Sequence, residues 1–234
     1  MAPGSTQGQQ PEPTDEGSLA DRVAAHIRDR IAGGSLRQGD RIKEQEIATQ
    51  IGVSRSPVRE AINRLSSSRL LVARRNAGVH VALIDADLVH MTYDVRVTLE
   101  ALAARRAAER MCAPRREALL ALIEQQEREF AGSAADGYAG SDADWAFHFQ
   151  LLDACDNDIV HRICGTEVRD LMSLMSTQLA QSEERGRRAL LEHRWIAESV
   201  VAGEAELAAS LMGCHIQTSR EGVLDRLRRV GAAG

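Results

Sequence analysis

Asp144 and His148 lie four residues apart in the run DWAFH. On a helix that spacing puts both side chains on one face, one turn apart, where a carboxylate and an imidazole can chelate one divalent ion. His193 precedes Gly203 by ten residues and His215 follows it by twelve. If Gly203 turns an antiparallel helix pair, a rise of 1.5 Å per residue puts the two imidazoles about 15 and about 18 Å from the turn, at nearly one level. One Asp and three His could then surround one metal, although a lone His on a helix is more often an ordinary core or surface residue than a ligand. A second chemistry stands earlier in the chain. Arg55 and Arg59 are i, i+4 on one helical face with Ser54 and Ser56 beside them, and Arg74 and Arg75 stand near the tip of a short hairpin. Free N–H groups at a helix start, guanidinium forks and hydroxyls suit phosphates and guanine edges in a major groove. The plainer alternative for these arginines is solvation and pairing with nearby acids.

The elements that must carry these groups follow from periodicity. Leu19, Val23, Ile27 and Ile31 recur at helical spacing until Gly33-Gly34 ends the run. A short helix over Glu44 to Ile51, closed by Gly52, precedes a second from Ser54 to about Ser67, with Ser54 as cap and Pro57 in the first turn, where its missing N–H costs nothing. Val58, Ile62 and Leu65 face away from the arginines, which is the arrangement of a helix-turn-helix. Leu70 to Arg75 and Val79 to Ile84 flank Asn76-Ala77-Gly78 as a two-stranded hairpin, a basic wing. From about Ala86 helical periodicity is unopposed, with breaks near Pro114, through 131–141, at Asp156-Asn157, around Arg185-Gly186 and at Gly203. The expected fold is mainly α: a winged helix-turn-helix over 18–84 and an all-helical bundle of about six helices over 86–230. Residues 1–17, rich in Gly, Pro, Gln, Ser and Thr, read as a disordered tail.

A formal net charge of −5 argues at first against a nucleic-acid partner. The charge is unevenly spread. Residues 18–84 carry twelve Lys or Arg against six Asp or Glu, a net of +6, while 85–234 carry seventeen against twenty-five, a net of −8. The basic third coincides with the helix-turn-helix, so the balance locates DNA binding there. Cys112, Cys155, Cys164 and Cys214 show no CxxC spacing and read as buried free thiols of a reducing compartment. No apolar run approaches a membrane span, and the first residues lack a signal peptide's basic and apolar regions. A soluble cytoplasmic protein is the expectation.

The stretch EIATQIGVSRSPVREAINRLSSSRLLVARRNAGVHVA closely resembles the winged helix-turn-helix of GntR-type bacterial transcription regulators, with GVSRSPVREAI matching over eleven contiguous positions. That resemblance implies DNA contacts at Ser54, Arg55, Ser56 and Arg59, with Gly78 in the wing turn. Two positions depart from the family pattern: Gln38, where Pro usually precedes Gly39, and Gln45, where some members carry a DNA-touching Arg. The segment from about Leu88 to Leu227 resembles the helical FCD effector domain of the FadR-like branch, through YDVRVTLEALAARRAAER, DADWAFHFQLLDACDN, EHRWIAESVVAGEAELAASLM and MGCH. It implies a divalent metal on Asp144, His148, His193 and His215. Zinc suits so many imidazoles, and nickel, manganese or iron also fit. The same resemblance puts Arg96 at the pocket, where a guanidinium beside a metal suits a carboxylate effector; its alternative is a salt bridge to Glu100. Asn157 is a pocket candidate that equally well caps the next helix. His90 and His161 are expected to be structural.

Taken together, these features predict a homodimeric transcription regulator, not an enzyme, that binds a palindromic operator in double-stranded DNA under control of a small-molecule effector. Two alternatives remain. A metal-dependent hydrolase would need a general base, for which Glu192 beside His193 is the first candidate. In a metal sensor the ion itself would be the effector.

Overall fold

In a computed structural model of the chain, residues 18–132, 138–179 and 182–232 are described. The expected tail, 1–17, and part of the expected loop at 131–141 lie outside them. Helix α1 spans Leu19–Ala32 and begins in a capping box, with the Ser18 hydroxyl accepting from Asp21 N–H and Asp21 reaching back to Ser18 N–H. Its stripe of Val23, Ala24, Ile27 and Ile31 is buried. Helices α2 (Glu44–Ile51) and α3 (Arg55–Ser67) follow, turning at Gly52, whose φ of +74° is the left-handed conformation that glycine adopts without strain. Val58, Ala61, Ile62 and Leu65 bury the inner face of α3 against α1. Ser54 stands at the N-cap of α3, yet its side chain makes no capping hydrogen bond, contrary to the sequence expectation. The hydroxyl beside Arg55 is therefore not consumed by the helix.

Strands β1 (Leu71–Arg74) and β2 (Gly78–Val81) pair antiparallel with Leu71 opposite Val81. The first keeps Leu71–Arg74 of the expected Leu70 to Arg75, and the second begins one residue earlier than expected, at Gly78, and ends at Val81, although one cross-strand bond follows it. Ala82 N–H bonds to Leu70 O, and Ile84 N–H bonds to Gln38 Oε1 at 2.9 Å. Gln38 thus ties the turn before α2 to the end of the wing, a tie that a proline side chain at this position could not make.

The rest of the described chain is helical: α4 (Ala86–Arg110), α5 (Ala113–Gly132), α6 (Asp142–Ala154), α7 (Asp158–Arg162), a π-helical stretch over Ile163–Val168, α8 (Arg169–Gln178), α9 (Glu183–Ala202) and α10 (Ala205–Ala232). Because α7, the π stretch and α8 are continuous, six rods result, as expected. The break expected at Arg185-Gly186 is absent. Helix α9 runs through both residues from its cap at Ser182. Gly186 serves packing instead: a Cβ there would stand 3.2 Å from Phe130 and from Tyr138. Long α4 lies along α10 and also meets α6 and α9, making it the central rod.

Head and bundle are joined through α1 and α8. Arg28 Nε donates to both carboxylate oxygens of Asp170 at 2.8 Å. The Asp170 side chain is 7% exposed and that of Arg28 is 35% exposed. Burial pushes the Asp170 carboxyl up, and Arg28 offsets part of that rise. The sign follows: an acid whose folded pKa lies above its unfolded value costs stability once ionised, and the cost disappears as pH falls through the folded value. Arg28→Ala should therefore destabilise by about 2 kcal/mol at neutral pH, below the figure for fully buried pairs because Arg28 is part-exposed. Asp170→Asn should cost less. Denaturant midpoints at pH 7 and pH 5 check this, since the Arg28→Ala deficit must shrink at the lower pH.

Candidate metal centre and nucleic-acid interface

Four ligand candidates come from three helices. Ser141 caps α6 by accepting from Asp144 N–H, and the turn before it aims Gly140 N–H at Asp144 Oδ2, 2.9 Å away. One turn later on the same helix comes His148. His193 belongs to α9 and His215 to α10, and Gly203, with φ +78°, turns the chain between them as the spacing arithmetic predicted. The ring nitrogens of His148, His193 and His215 available to a metal lie within 4.8 Å of one another, and all three side chains are buried. Asp144 Oδ1 stands 3.7 Å from His193 Nε2. The structure thus brings the three histidines together, while Asp144 stands at the edge of the group, close to His193.

The second nitrogen of each ring decides how the first is presented. His215 Nδ1 bonds to Glu192 Oε2 at 2.8 Å. His193 Nδ1 bonds to the Tyr138 hydroxyl at 3.1 Å, while that hydroxyl donates to Gln126 Oε1 at 2.7 Å. His148 Nδ1 lies 2.6 Å from Glu100 Oε2, a close ion-pair contact rather than an aligned hydrogen bond. These partners assign the proton of each ring to Nδ1 and leave Nε2 as a lone pair. His148 Nε2 is buried without a hydrogen-bond partner, and the Nε2 atoms of His193 and His215 face each other at 3.2 Å. With both protons on Nδ1 the two facing lone pairs can share a cation, whereas a proton on either Nε2 would make the contact a hydrogen bond. Tetrahedral ligation at 2.0–2.1 Å separates neighbouring nitrogens by about 3.3 Å, so the donor set fits a divalent metal. Burial depresses the pKa of His193, with the neighbouring His215 and His148 adding to the effect, and burial depresses that of His215 against the opposing pull of Glu192. Both shifts favour the neutral ring that a metal ligand must have.

In the head, Arg55 is the first residue of α3 and Arg59 lies one turn on. Both are exposed, and both donate to one oxygen of Glu44, at 3.0 and 2.9 Å. Ser54 and Ser56 flank Arg55 and are exposed. Arg74 ends β1 and Arg75 opens the wing turn; both are exposed and form no ion pair among the described residues. Gly78, expected in the wing turn, instead opens β2 opposite Arg74, and a Cβ there would come within 3.2 Å of the Arg41 guanidinium. Arg41, a cation the sequence reasoning passed over, therefore packs under the wing.

The chain matches two family profiles, "Bacterial regulatory proteins, gntR family" over residues 19–81 and "FCD domain" over residues 91–218. The chain belongs to the GntR family. Among its relatives is a "Probable D-xylose utilization operon transcriptional repressor" of Paenarthrobacter nicotinovorans, 30% identical over 202 residues, covering 83% of this chain and 85% of that protein. Another is the transcriptional regulator LutR of Bacillus subtilis, 30% identical over 214 residues, covering 83% of this chain and 95% of its own length. The fold matches that of E. coli McbR/YncC, with a TM-score of 0.72 at 20% identity, covering 90% of this chain and 99% of that one. It is therefore a DNA-binding transcription regulator with an FCD domain, and not an enzyme.

That GntR assignment bears on the remaining residues. Glu192, the candidate general base of the hydrolase alternative, holds His215 and is itself gripped by Arg185 at 3.0 Å. Burial would raise its carboxyl, but His215 and Arg185 outweigh burial and hold it at about 2. Such an acid accepts no proton near neutrality. Arg96 is buried and takes the alternative left open for it, donating to Glu100 Oε1 at 2.7 Å beneath the rings of Tyr93 and Trp145. Burial works against ionisation of Glu100, yet Arg96 and His148 hold it well below the usual carboxylate range. Arg96 thereby acts on the centre through Glu100 and His148. Asn157 caps α7, its Oδ1 accepting from Ile159 and Val160 N–H. His161 pairs with Asp153, and all four cysteines are free thiols, but only Cys155 and Cys164 are buried as expected, while Cys112 and Cys214 are exposed. Among the described residues no helix is long and apolar enough to cross a membrane.

Proposed function

We propose that this regulator acts in the cytoplasm as a homodimer on a palindromic operator, and that a small carboxylate effector bound beside a divalent metal controls its affinity. Asp144, His148, His193 and His215 hold the metal; zinc is the first choice, with nickel, manganese and iron also suited to the donor set. When bound, the ion offers a positive centre to one oxygen of a carboxylate, and the Arg96 guanidinium offers a fork to the other. Asn157 is the second effector candidate. Ser54, Arg55, Ser56, Arg59, Arg74, Arg75 and Gly78 form the DNA-facing set. The observation that carries the reading is the convergence of three buried imidazoles, two of them hydrogen-bonded through Nδ1 and the third, His148, with Nδ1 against the Glu100 carboxylate.

The arrangement also supplies a route from effector to operator. Arg96 Nη1 contacts Met172 Sδ on α8 at 3.6 Å, and two residues earlier on α8 Asp170 holds Arg28 of α1, which packs on α3. A cavity of about 390 Å³ lies at that junction, lined by Arg28, Trp145, Thr166, Arg169 and Asp170. A ligand that pulls Arg96 away from Glu100 disturbs α8 where the head is attached.

The test is a shift assay at fixed salt on a palindromic duplex selected by the protein, with metal-loaded and chelator-treated protein and a panel of small carboxylates. Loaded protein should respond to one class of carboxylate by at least about 5-fold in affinity, the low end of ordinary allosteric coupling. A metal retained through dialysis is expected from the burial of its ligands. DNA binding that instead followed free metal concentration, with no carboxylate active, would make the ion the effector and sink the carboxylate reading.

A further inference from the structure

One acid stands out on the DNA-facing side of the head. Glu44 opens α2, and its Oε2 receives Arg55 Nη2 at 3.0 Å and Arg59 Nε at 2.9 Å. The side chains are 30%, 55% and 62% exposed in that order, so the pairs contribute little to stability. Their consequence is geometric. Two like charges at i, i+4 repel one another, and each long side chain has many rotamers. A single oxygen shared by both removes the repulsion and fixes the two guanidinium groups relative to each other. Because Arg59 is held through Nε, its two Nη groups carry no partner among the described residues and keep a free edge of the fork. The neighbouring Glu60 does not compete, being engaged by Arg64, which also bonds Asp21 of α1. Hydrogen bonds from Arg59 and then Arg55 lower the Glu44 carboxyl from the ordinary glutamate value, which favours its ionised form.

We propose that Glu44 is a positioning residue for sequence discrimination: it presents Arg55 and Arg59 as a preset pair for base edges and, as an anion at the DNA surface, opposes indiscriminate phosphate binding. The second half follows from charge. A carboxylate close to the duplex costs affinity on any sequence, and only the operator, by engaging the preset forks, restores it. Glu44 thus separates affinity from specificity, which a residue of purely structural importance does not. The inference rests on the reading that Arg55 and Arg59 touch DNA.

Full-length wild-type protein is used to enrich a duplex from a random pool. Wild type, Glu44→Gln and Glu44→Ala are then titrated with that duplex and with a scrambled duplex of equal length at three salt concentrations, with thermal midpoints as a folding control. The preference for the selected duplex should fall about 10-fold in both variants, within the range of one bidentate base contact. Affinity for the scrambled duplex should rise, and its dependence on log salt should steepen by about one charge as an arginine turns to phosphate. An unchanged preference, or an equal loss on both duplexes, overturns the proposal. Arg55→Ala and Arg59→Ala run alongside separate two failures. If they leave the selected duplex bound as before, the contact reading itself falls; if they weaken it while the Glu44 variants keep full preference, only the role of Glu44 falls.

Discussion

His193→Ala should abolish stoichiometric metal uptake, the largest single effect expected in the bundle. His193 is the hub of the centre: its Nε2 faces His215 Nε2 at 3.2 Å and Asp144 Oδ1 at 3.7 Å, and its ring stacks on Phe147 with centroids 4.0 Å apart. Alanine removes the ligand atom, empties a fully buried site and deprives the Tyr138 hydroxyl of its ring partner. Changing an outer partner of a metal ligand typically lowers affinity 10–100-fold, which sets a floor for losing the ligand itself. On the proposed metal reading, the wild type at a thousandfold excess over its dissociation constant should gain about 4 kcal/mol, and the variant almost none. Metal content after dialysis and thermal midpoints with and without chelator check both statements. Equal metal content in the two proteins would remove His193 from the ligand set.

What could be read from the residues differs between the ligands and the shell that orients them. Asp144 and His148 are separated by one helical turn, and His193 and His215 by a hairpin whose turn residue is a glycine, so two simple periodicities anticipate their proximity, while the resemblance proposes them as ligands. Likewise, Gly52 between two short apolar stripes marks the head, and α2 has the expected bounds. Glu100 and Tyr138 had no such signal. They lie 48 and 55 residues from the histidines they orient, on α4 and in the turn before α6, and only packing brings them there. Glu100 was recognisable as an i, i+4 partner of Arg96, but its second oxygen, on His148, was not. Gly186 shows a related ambiguity: a glycine that stops a helix and one that admits two aromatic neighbours look alike in sequence, and here the second role holds. Asn157 is similar, since an amide that caps a helix and one that lines a pocket share a chemistry until the backbone is placed.

At the other end of the molecule, Arg59→Ala should weaken the selected operator about 10–100-fold while reducing binding to unrelated duplexes far less. The contrast with the wing is the substance of the prediction. Arg59 rises from a helix whose inner face is buried and whose orientation is set by α1, and Glu44 fixes its Nε. A guanidinium so placed can meet a guanine edge with two bonds, worth roughly 1–3 kcal/mol of discrimination. Arg74 and Arg75 sit on a two-stranded hairpin and have no ion-pair partner among the described residues. Such side chains act as point charges for phosphate, so each alanine should lower all duplex affinities by a similar factor and reduce the salt slope by about one. Titrations of the three variants on matched and scrambled duplexes across salt separate the two behaviours. If Arg59→Ala instead lowered both affinities alike, α3 would be gripping the backbone, and the reading of sequence would have to be sought in the wing.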